Sequence, residues 1–197
     1  MSKAQYWKRK RVYGVGINDY IGSTKNNGVE IKEYRVWKDM LKRCYSEGYK
    51  NKNKSYVDTK CCEEWLTFSN FIKDCETMKN AFCFGFDLDK DLMGDGLTYN
   101  KDTVCFLPSE INTTLGAMKG VRGNNLGIRF QYGKYYVRFN QKNKEVNLGR
   151  YENLKDAINV SKAYRESYIK ILAEKWKDQL DIHAYEALMK YEVKVVN

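Results

Sequence analysis

Two stretches near the middle of the chain decide how its first half folds. They are Leu88-Asp89-Lys90-Asp91 and Tyr99-Asn100-Lys101-Asp102-Thr103-Val104-Cys105-Phe106-Leu107-Pro108-Ser109-Glu110-Ile111-Asn112. The apolar residues before Asp89 predict a strand around 84–88, and a glycine-rich turn follows at 94–96. A second strand is predicted around 103–107, and a helix from Ser109 onward. We expect this order to bring the acidic residues of the turn close to Asn112.

The turn is rich in acidic side chains. Asp87, Asp89, Asp91 and Asp95 lie within a few positions of one another, and Asn112 is predicted early in the following helix. Carboxylate and amide oxygens are ligands that suit Mg²⁺. The acidic turn is therefore a candidate Mg²⁺ site.

Helices are predicted on both sides of a short strand before this turn. Apolar residues recur at intervals of three and four over 32–47 and again over 63–77, and residues 56–61 read as the strand. These segments include the words Trp37-Lys38-Asp39-Met40-Leu41-Lys42-Arg43-Cys44-Tyr45 and Cys62-Glu63-Glu64-Trp65. In this order and spacing, and together with the two quoted stretches, residues 34–115 resemble HNH-related proteins of bacteriophages.

That resemblance implies a ββα-metal module. In the family an aspartate at the end of the first strand holds a divalent metal, the histidine after it activates water, and an early-helix asparagine or histidine closes the metal site. Asp89 and Asn112 match two of these positions, and Lys90 stands where the histidine should be. The implied catalytic residues are Lys90, Asp89 and Asn112. The implied metal ligands are Asp89 and Asn112, and Asp91 is a further candidate ligand from the acidic turn. A lysine ammonium is ordinarily protonated and is a poor base, so we read the module as degenerate, with Lys90 paired to its acidic neighbours or contacting a phosphate.

The composition favours a nucleic-acid partner. Lysine and arginine number 35 against 25 aspartate and glutamate, a formal net charge of +10, and clustered cations bind polyanions.

No apolar run reaches the ~18 residues that span a membrane, so no membrane partner is expected. The six cysteines include no CxxC pair, so no zinc is expected and reduced thiols in a cytoplasm are favoured. Given the resemblance to phage proteins, that cytoplasm belongs to an infected bacterial host.

A different pattern follows a predicted linker at 116–124. Apolar and polar residues alternate over 127–131, 135–140 and 146–151, which predicts a three-stranded antiparallel meander. A long helix is predicted from Leu154 to Trp176, and one more amphipathic helix from Ile182 to Tyr191. The side chains expected between the sheet and the long helix are those of Ile128, Phe130, Val137, Phe139, Val146 and Leu148.

The opposite face of this sheet carries the candidate DNA-binding residues. Residues 119–150 hold eight lysines or arginines and one glutamate. Arginine reads guanine with two hydrogen bonds, and asparagine or glutamine reads adenine, so this mixture suits direct readout in the major groove. The candidates are Arg129, Gln131, Tyr136, Arg138, Asn140, Asn147 and Arg150.

This block resembles the Apetala-two or ethylene-response-factor type of DNA-binding domain. The matching words are Gly127-Ile128-Arg129, Leu148-Gly149-Arg150-Tyr151 and the helix that contains Ala157. The resemblance implies that the exposed sheet face binds DNA. Aromatic and arginine positions of the family appear here as Asn140, Glu145 and Asn147, so the family's target sequence does not carry over.

Together the patterns predict an α+β protein of two domains. A degenerate ββα-metal (HNH-like) module with an N-terminal basic arm takes up 1–118. A three-stranded antiparallel sheet packed on a helix, followed by a C-terminal helix, takes up 119–197. The predicted function is sequence-selective binding of double-stranded DNA without cutting. Two alternatives stay open: a Mg²⁺-dependent homing or nicking endonuclease in which Lys90 replaces the usual base, and a phage protein that binds and inhibits a host or defence complex.

Overall fold

The computed structural model describes residues 9–118, 126–141 and 144–194. The predicted basic arm over 1–11 and the predicted linker over 116–124 lie largely outside those ranges. The fold is α+β, as predicted, and none of the described helices is both long and apolar enough to cross a membrane. One compact unit comprises Met1–Pro108 with Gln179–Ala184, and the other comprises Ser109–Asp178 with Tyr185–Asn197. The domain boundary predicted between 118 and 119 states that the parts on either side fold on their own. A division into compact units does not test independent folding, so the boundary stays a prediction.

Buried aromatic side chains organise the first unit. Helix α1 (Lys32–Tyr45) turns Trp37, Met40, Leu41 and Cys44 into the core, at the spacing that predicts this helix. Trp37 lies against Phe68, with 5.0 Å between ring centroids. Its indole Nε1 donates a hydrogen bond of 2.7 Å to the carbonyl oxygen of Trp65. The short helix α2 (Glu47–Lys52) and a 3₁₀ turn (Lys54–Tyr56) follow.

The second predicted helix is shorter than its periodicity indicates. The pattern predicts a helix over 63–77, but the chain forms a 3₁₀ turn at Glu64–Leu66 and then α3 (Phe68–Cys75). Thr67 lies between them in an extended conformation, with φ −100° and ψ 125°. It is extended because it bridges to Ile17, whose backbone forms hydrogen bonds of 2.7 and 3.0 Å with the residues on either side of Thr67. A contact distant in sequence therefore interrupts a local periodicity.

Small two-stranded sheets complete the first unit. Their strands are β1 (Lys25–Asn26) with β2 (Val29–Glu30), β3 (Lys60–Cys61) with β5 (Thr98–Tyr99), and β4 (Phe86–Asp89) with β6 (Cys105–Pro108). The strands predicted around 84–88 and 103–107 are confirmed as β4 and β6, which pair antiparallel. The strand predicted over 56–61 shrinks to β3, because the 3₁₀ turn takes up its first residue and a further turn occupies 57–58.

The hairpin of β1 and β2 has a local sequence signal that lies outside the apolar periodicities. Asn27 and Gly28 connect the two strands with φ angles of 50° and 81°. Both residues of a type I′ turn need positive φ, and Asn-Gly is the pair that adopts it most readily. The Asn-Gly dipeptide therefore favours a hairpin at this position.

The second unit is a three-stranded sheet packed on one long helix. Strands β7 (Ile128–Gln131), β8 (Lys134–Gln141) and β9 (Lys144–Tyr151) pair antiparallel in that order. Helix α5 (Leu154–Trp176) has the predicted bounds, and it is capped by Asn153, whose side chain accepts a 2.9 Å hydrogen bond from the Asp156 amide. The side chains buried between sheet and helix include Val137, Phe139, Ala157 and Ser161.

One of the predicted inward side chains is not covered. Phe130 is 63% exposed, so its expected burial under the helix is wrong. It lies at the hairpin end of the sheet, opposite Tyr135 in register, and the two rings pack with centroids 4.7 Å apart. Alternation assigns Phe130 to the correct face of the strand but cannot tell how far along that face the helix extends.

Helix α4 (Ser109–Met118) packs against α5 near the end of that long helix. Its buried residues are Ile111, Leu115 and Met118. The Glu110 carboxylate accepts hydrogen bonds from Lys175 at 2.5 Å and from the Trp176 indole at 3.0 Å. The chain then continues through a 3₁₀ turn (Lys177–Gln179) to α6 (Ile182–Met189).

Gly127 stands where the start of β7 comes closest to β8. The Arg138 amide donates a 2.9 Å hydrogen bond to the Gly127 carbonyl oxygen. Gly127 has φ +70°, and a Cβ added there would lie 1.8 Å from the carbonyl oxygen of Arg138. Only glycine fits this position without moving the backbone of the central strand.

We expect Gly127→Ala to lower the free energy of unfolding by about 3 kcal/mol or more, measured by urea denaturation. Gly133→Ala is the matched control, since Gly133 has φ +74° but an added Cβ would meet nothing within 4 Å. The control should cost about 1 kcal/mol from the positive φ alone. Equal losses in the two variants would show that the close approach of the strands contributes nothing.

Candidate nucleic-acid interface

The pairing register defines the polar face of the second unit's sheet. Arg129 on β7 faces Tyr136 on β8, and Tyr136 faces Arg150 on β9. Tyr136 is half-buried, and both arginines are exposed. Neither arginine has a carboxylate partner among the residues that the structure describes. The row therefore presents two exposed cations, one on each side of an aromatic ring, and the described part of the chain gives neither of them a carboxylate partner.

A second row lies one step along the sheet. Arg138 faces Asn147, and the residues two positions further along, Asn140 and Glu145, face each other. The Arg138 guanidinium donates from Nη1 to a Glu145 carboxylate oxygen at 2.7 Å. Both side chains of this ion pair remain accessible to solvent, at 45% and 60%.

A β-bulge brings Arg150 onto the polar face. The register shifts between Val137 and Arg138, so that Leu148 has no partner on β8. Gly149 has φ +112°, and its amide donates to the Asn147 side-chain oxygen at 3.0 Å. Strict alternation from Leu148 would turn Arg150 toward the helix. The bulge changes that parity, so Asn147 and Arg150 share one face.

All the candidate DNA-binding residues of the sequence lie on this single face. Gln131 and Asn140 are exposed there with the two rows, and Lys134 pairs with Glu152 at 2.6 Å. The sequence patterns assign no role to Glu145. It is the one acidic residue within 119–150, and that isolation could have indicated a role. The grouping is a property of the fold, whereas the role of these residues in DNA binding stays a prediction.

The acidic turn of the first unit uses its carboxylates to shape its own backbone. Asp89 is buried at the end of β4, and its Oδ1 accepts hydrogen bonds from the amides of Asp91 and Leu92 at 3.0 and 2.8 Å. Asp95 accepts in the same way from Leu97 and Thr98, at 2.7 and 2.8 Å. These backbone hydrogen bonds lower the pKa of Asp95.

Lys90 is enclosed within this turn. Only 4% of the residue is exposed. Its ammonium donates to Asp91 at 2.7 Å and to the carbonyl oxygen of Gly96. It also lies over the rings of Tyr56 and Tyr99, 5.3 and 5.8 Å from their centroids. Burial raises the pKa of the Tyr99 phenol, so that ring stays neutral. Sequence reasoning missed both tyrosines, because nothing in the local pattern links them to Lys90.

The acidic turn offers few side-chain oxygen atoms to a divalent metal. Among the described residues no three histidine, cysteine, aspartate or glutamate side chains form a group that could hold a metal ion. Asp89 already binds backbone amides, and Asp91 already binds the Lys90 ammonium. Asn112 is half-buried on α4, which belongs to the second unit. The ligand set Asp89, Asp91 and Asn112 and the catalytic roles of Lys90, Asp89 and Asn112 stay predictions.

We expect Lys90→Met to lower the free energy of unfolding by about 3 kcal/mol, because it removes a buried cation and leaves the Asp91 carboxylate without that partner. Lys38→Met is the matched control. Lys38 forms a 2.5 Å ion pair with Glu30, and its side chain is 30% exposed against 5% for Lys90, while the two carboxylates are almost equally exposed. The control should cost at most about 1 kcal/mol. Urea denaturation measures both values, and a Lys90→Met loss no larger than the control would contradict a structural role for Lys90.

Comparisons of the chain with protein-family models, with curated proteins and with solved structures found no match.

Proposed function

We propose that the chain binds double-stranded DNA sequence-selectively through the polar face of β7, β8 and β9. The row of Arg129, Tyr136 and Arg150 carries this proposal. Two exposed cations without a described carboxylate partner attract phosphate oxygens, and they flank an aromatic ring on a face that is open to solvent. Such cations supply the salt-dependent part of DNA affinity.

The polar side chains around this row support selectivity. Gln131 and Asn140 are exposed on the same face, and Arg138 presents a guanidinium there. Amides can read adenine and arginine can read guanine at base edges in the major groove, which is wide enough for β-strands. The net charge of +10 is consistent with a polyanionic partner.

We also infer that the acidic turn of the first unit, read as a degenerate HNH-like module, does not cut DNA. The Lys90 ammonium lies 2.7 Å from Asp91 and is enclosed by two tyrosine rings. A lysine held in this way neutralises a carboxylate that a divalent cation would need. It is also shielded from the solvent water that a general base would have to activate.

The DNA-binding proposal predicts that Arg129→Ala with Arg150→Ala weakens duplex binding at least tenfold in a fluorescence-anisotropy titration. The slope of log K against log salt should fall by about 0.9 for each phosphate that the variant no longer neutralises. Lys155→Ala with Lys170→Ala is the control, because both lysines are exposed on α5 and their removal changes the net charge equally. An equal effect of both double variants would mean that net charge, and not the sheet face, determines binding.

The second inference predicts that the full chain leaves supercoiled plasmid intact in Mg²⁺ or Mn²⁺, under conditions in which it shifts a duplex on a gel. Agarose electrophoresis over a time course provides the measurement. The decisive comparison is Asp89→Asn. Metal-dependent nicking by the wild type that disappears in this variant would refute the inference and restore the endonuclease reading, whereas nicking that persists in the variant would indicate a contaminating nuclease.

A further inference from the structure

Glu145 is the one acidic residue within the described strands of the sheet, and it lies on the polar face; Glu152 follows the end of β9 and pairs with Lys134. The other charged side chains on that face are Arg129, Lys134, Arg138 and Arg150. The Glu145 carboxylate accepts a 2.7 Å hydrogen bond from Nη1 of Arg138, which lies diagonally across from it on β8. Arg138 therefore differs from Arg129 and Arg150, which have no described carboxylate partner.

This ion pair is too exposed to be explained by stability alone. Its side chains are 45% and 60% exposed, and exposed pairs contribute little to folding. Its larger effect is on geometry. A free arginine side chain samples many rotamers, and a carboxylate that holds one edge of the guanidinium limits these to a few. While the pair is formed, the remaining N–H donors of the planar group are left for an acceptor from outside the sheet, at the middle of the central strand.

The pair also changes the charge that Arg138 presents. A guanidinium beside a carboxylate is nearly neutral at a distance, so it adds little to the general attraction for phosphates. It keeps N–H donors that can form two hydrogen bonds to neighbouring acceptors. In the major groove the base edge with two such acceptors, O6 and N7, is guanine.

We propose that Glu145 is a positioning residue that makes Arg138 a reader of guanine, while Arg129 and Arg150 supply affinity that is independent of sequence. This assignment rests on the proposed binding of duplex DNA by the same face. It gives the arginines different tasks according to whether a carboxylate restrains them. It also gives a task to Glu145, at one of the positions where the chain departs from the family that it resembles.

The test is selection from a pool of duplexes with a randomised central segment, followed by sequencing of the bound fraction. Full-length wild type, Arg138→Ala and Glu145→Gln are compared, together with the binding of each to one duplex of unrelated sequence. Wild type should enrich a motif. Glu145→Gln should lose roughly tenfold of the preference for guanine at one position, the same position at which Arg138→Ala loses it. Its affinity for the unrelated duplex should rise, because a negative charge has been removed from the face.

Glu152→Gln is the matched control. It removes the same charge and breaks the 2.6 Å ion pair with Lys134, but it does not touch Arg138. It should raise affinity for the unrelated duplex and leave the motif unchanged.

A Glu145→Gln variant that keeps the wild-type motif overturns the positioning role while leaving DNA binding intact. A loss of preference at a different position from that affected in Arg138→Ala also overturns it, because Glu145 would then contact a base itself. A wild type that binds no duplex refutes the proposed function, and the positioning role with it.

Discussion

The pairing register of β8 with its two neighbours is the constraint on which the second unit depends. Side chains alternate along a strand, so a slip of one residue would exchange the two faces. In the observed register Val137 and Phe139 are buried under α5, and Arg138 is exposed on the opposite face. The close approach at Gly127 holds this register at one edge, and the turn at Tyr132-Gly133, with φ angles of 50° and 74°, fixes the length of the connecting loop.

The first unit depends on buried side chains rather than on the register of a sheet. Its core is aromatic, and beside that core a single ammonium group, that of Lys90, connects an acidic turn to two tyrosine rings. Asp89 and Asp95 stabilise the backbone of the same turn by accepting hydrogen bonds from its amides. The charged side chains of this turn thus form their hydrogen bonds within the turn. In our proposal DNA therefore binds to the second unit, whose polar side chains are more exposed.

Sequence patterns predicted those features whose causes are local. The bounds of α5 follow from its periodicity and from the cap at Asn153. The polar faces of β7 and β8 follow from alternation, whereas Arg150 joins them only because of the bulge in β9. Features with distant causes were missed. Nothing near Thr67 reveals its bridge to Ile17, and nothing near Lys90 reveals that Tyr56 folds over it. The exposure of Phe130 depends on where a helix from a later part of the chain begins, which no pattern within β7 contains.

The bulge at Leu148 and Gly149 has a consequence for how such a chain can vary in evolution. Because it adds one residue to β9 relative to β8, it sets the parity of everything after it, including Arg150. Point substitutions on the polar face would leave that parity intact, so the surface could change its chemistry one side chain at a time. Deleting one of the two bulge residues would restore regular pairing and keep Arg150 opposite Tyr136, whereas a deletion elsewhere in β9 would exchange the faces of the residues on one side of it. In descendants of this chain, substitutions should therefore accumulate along the whole strand, while changes of length should be confined to the bulge.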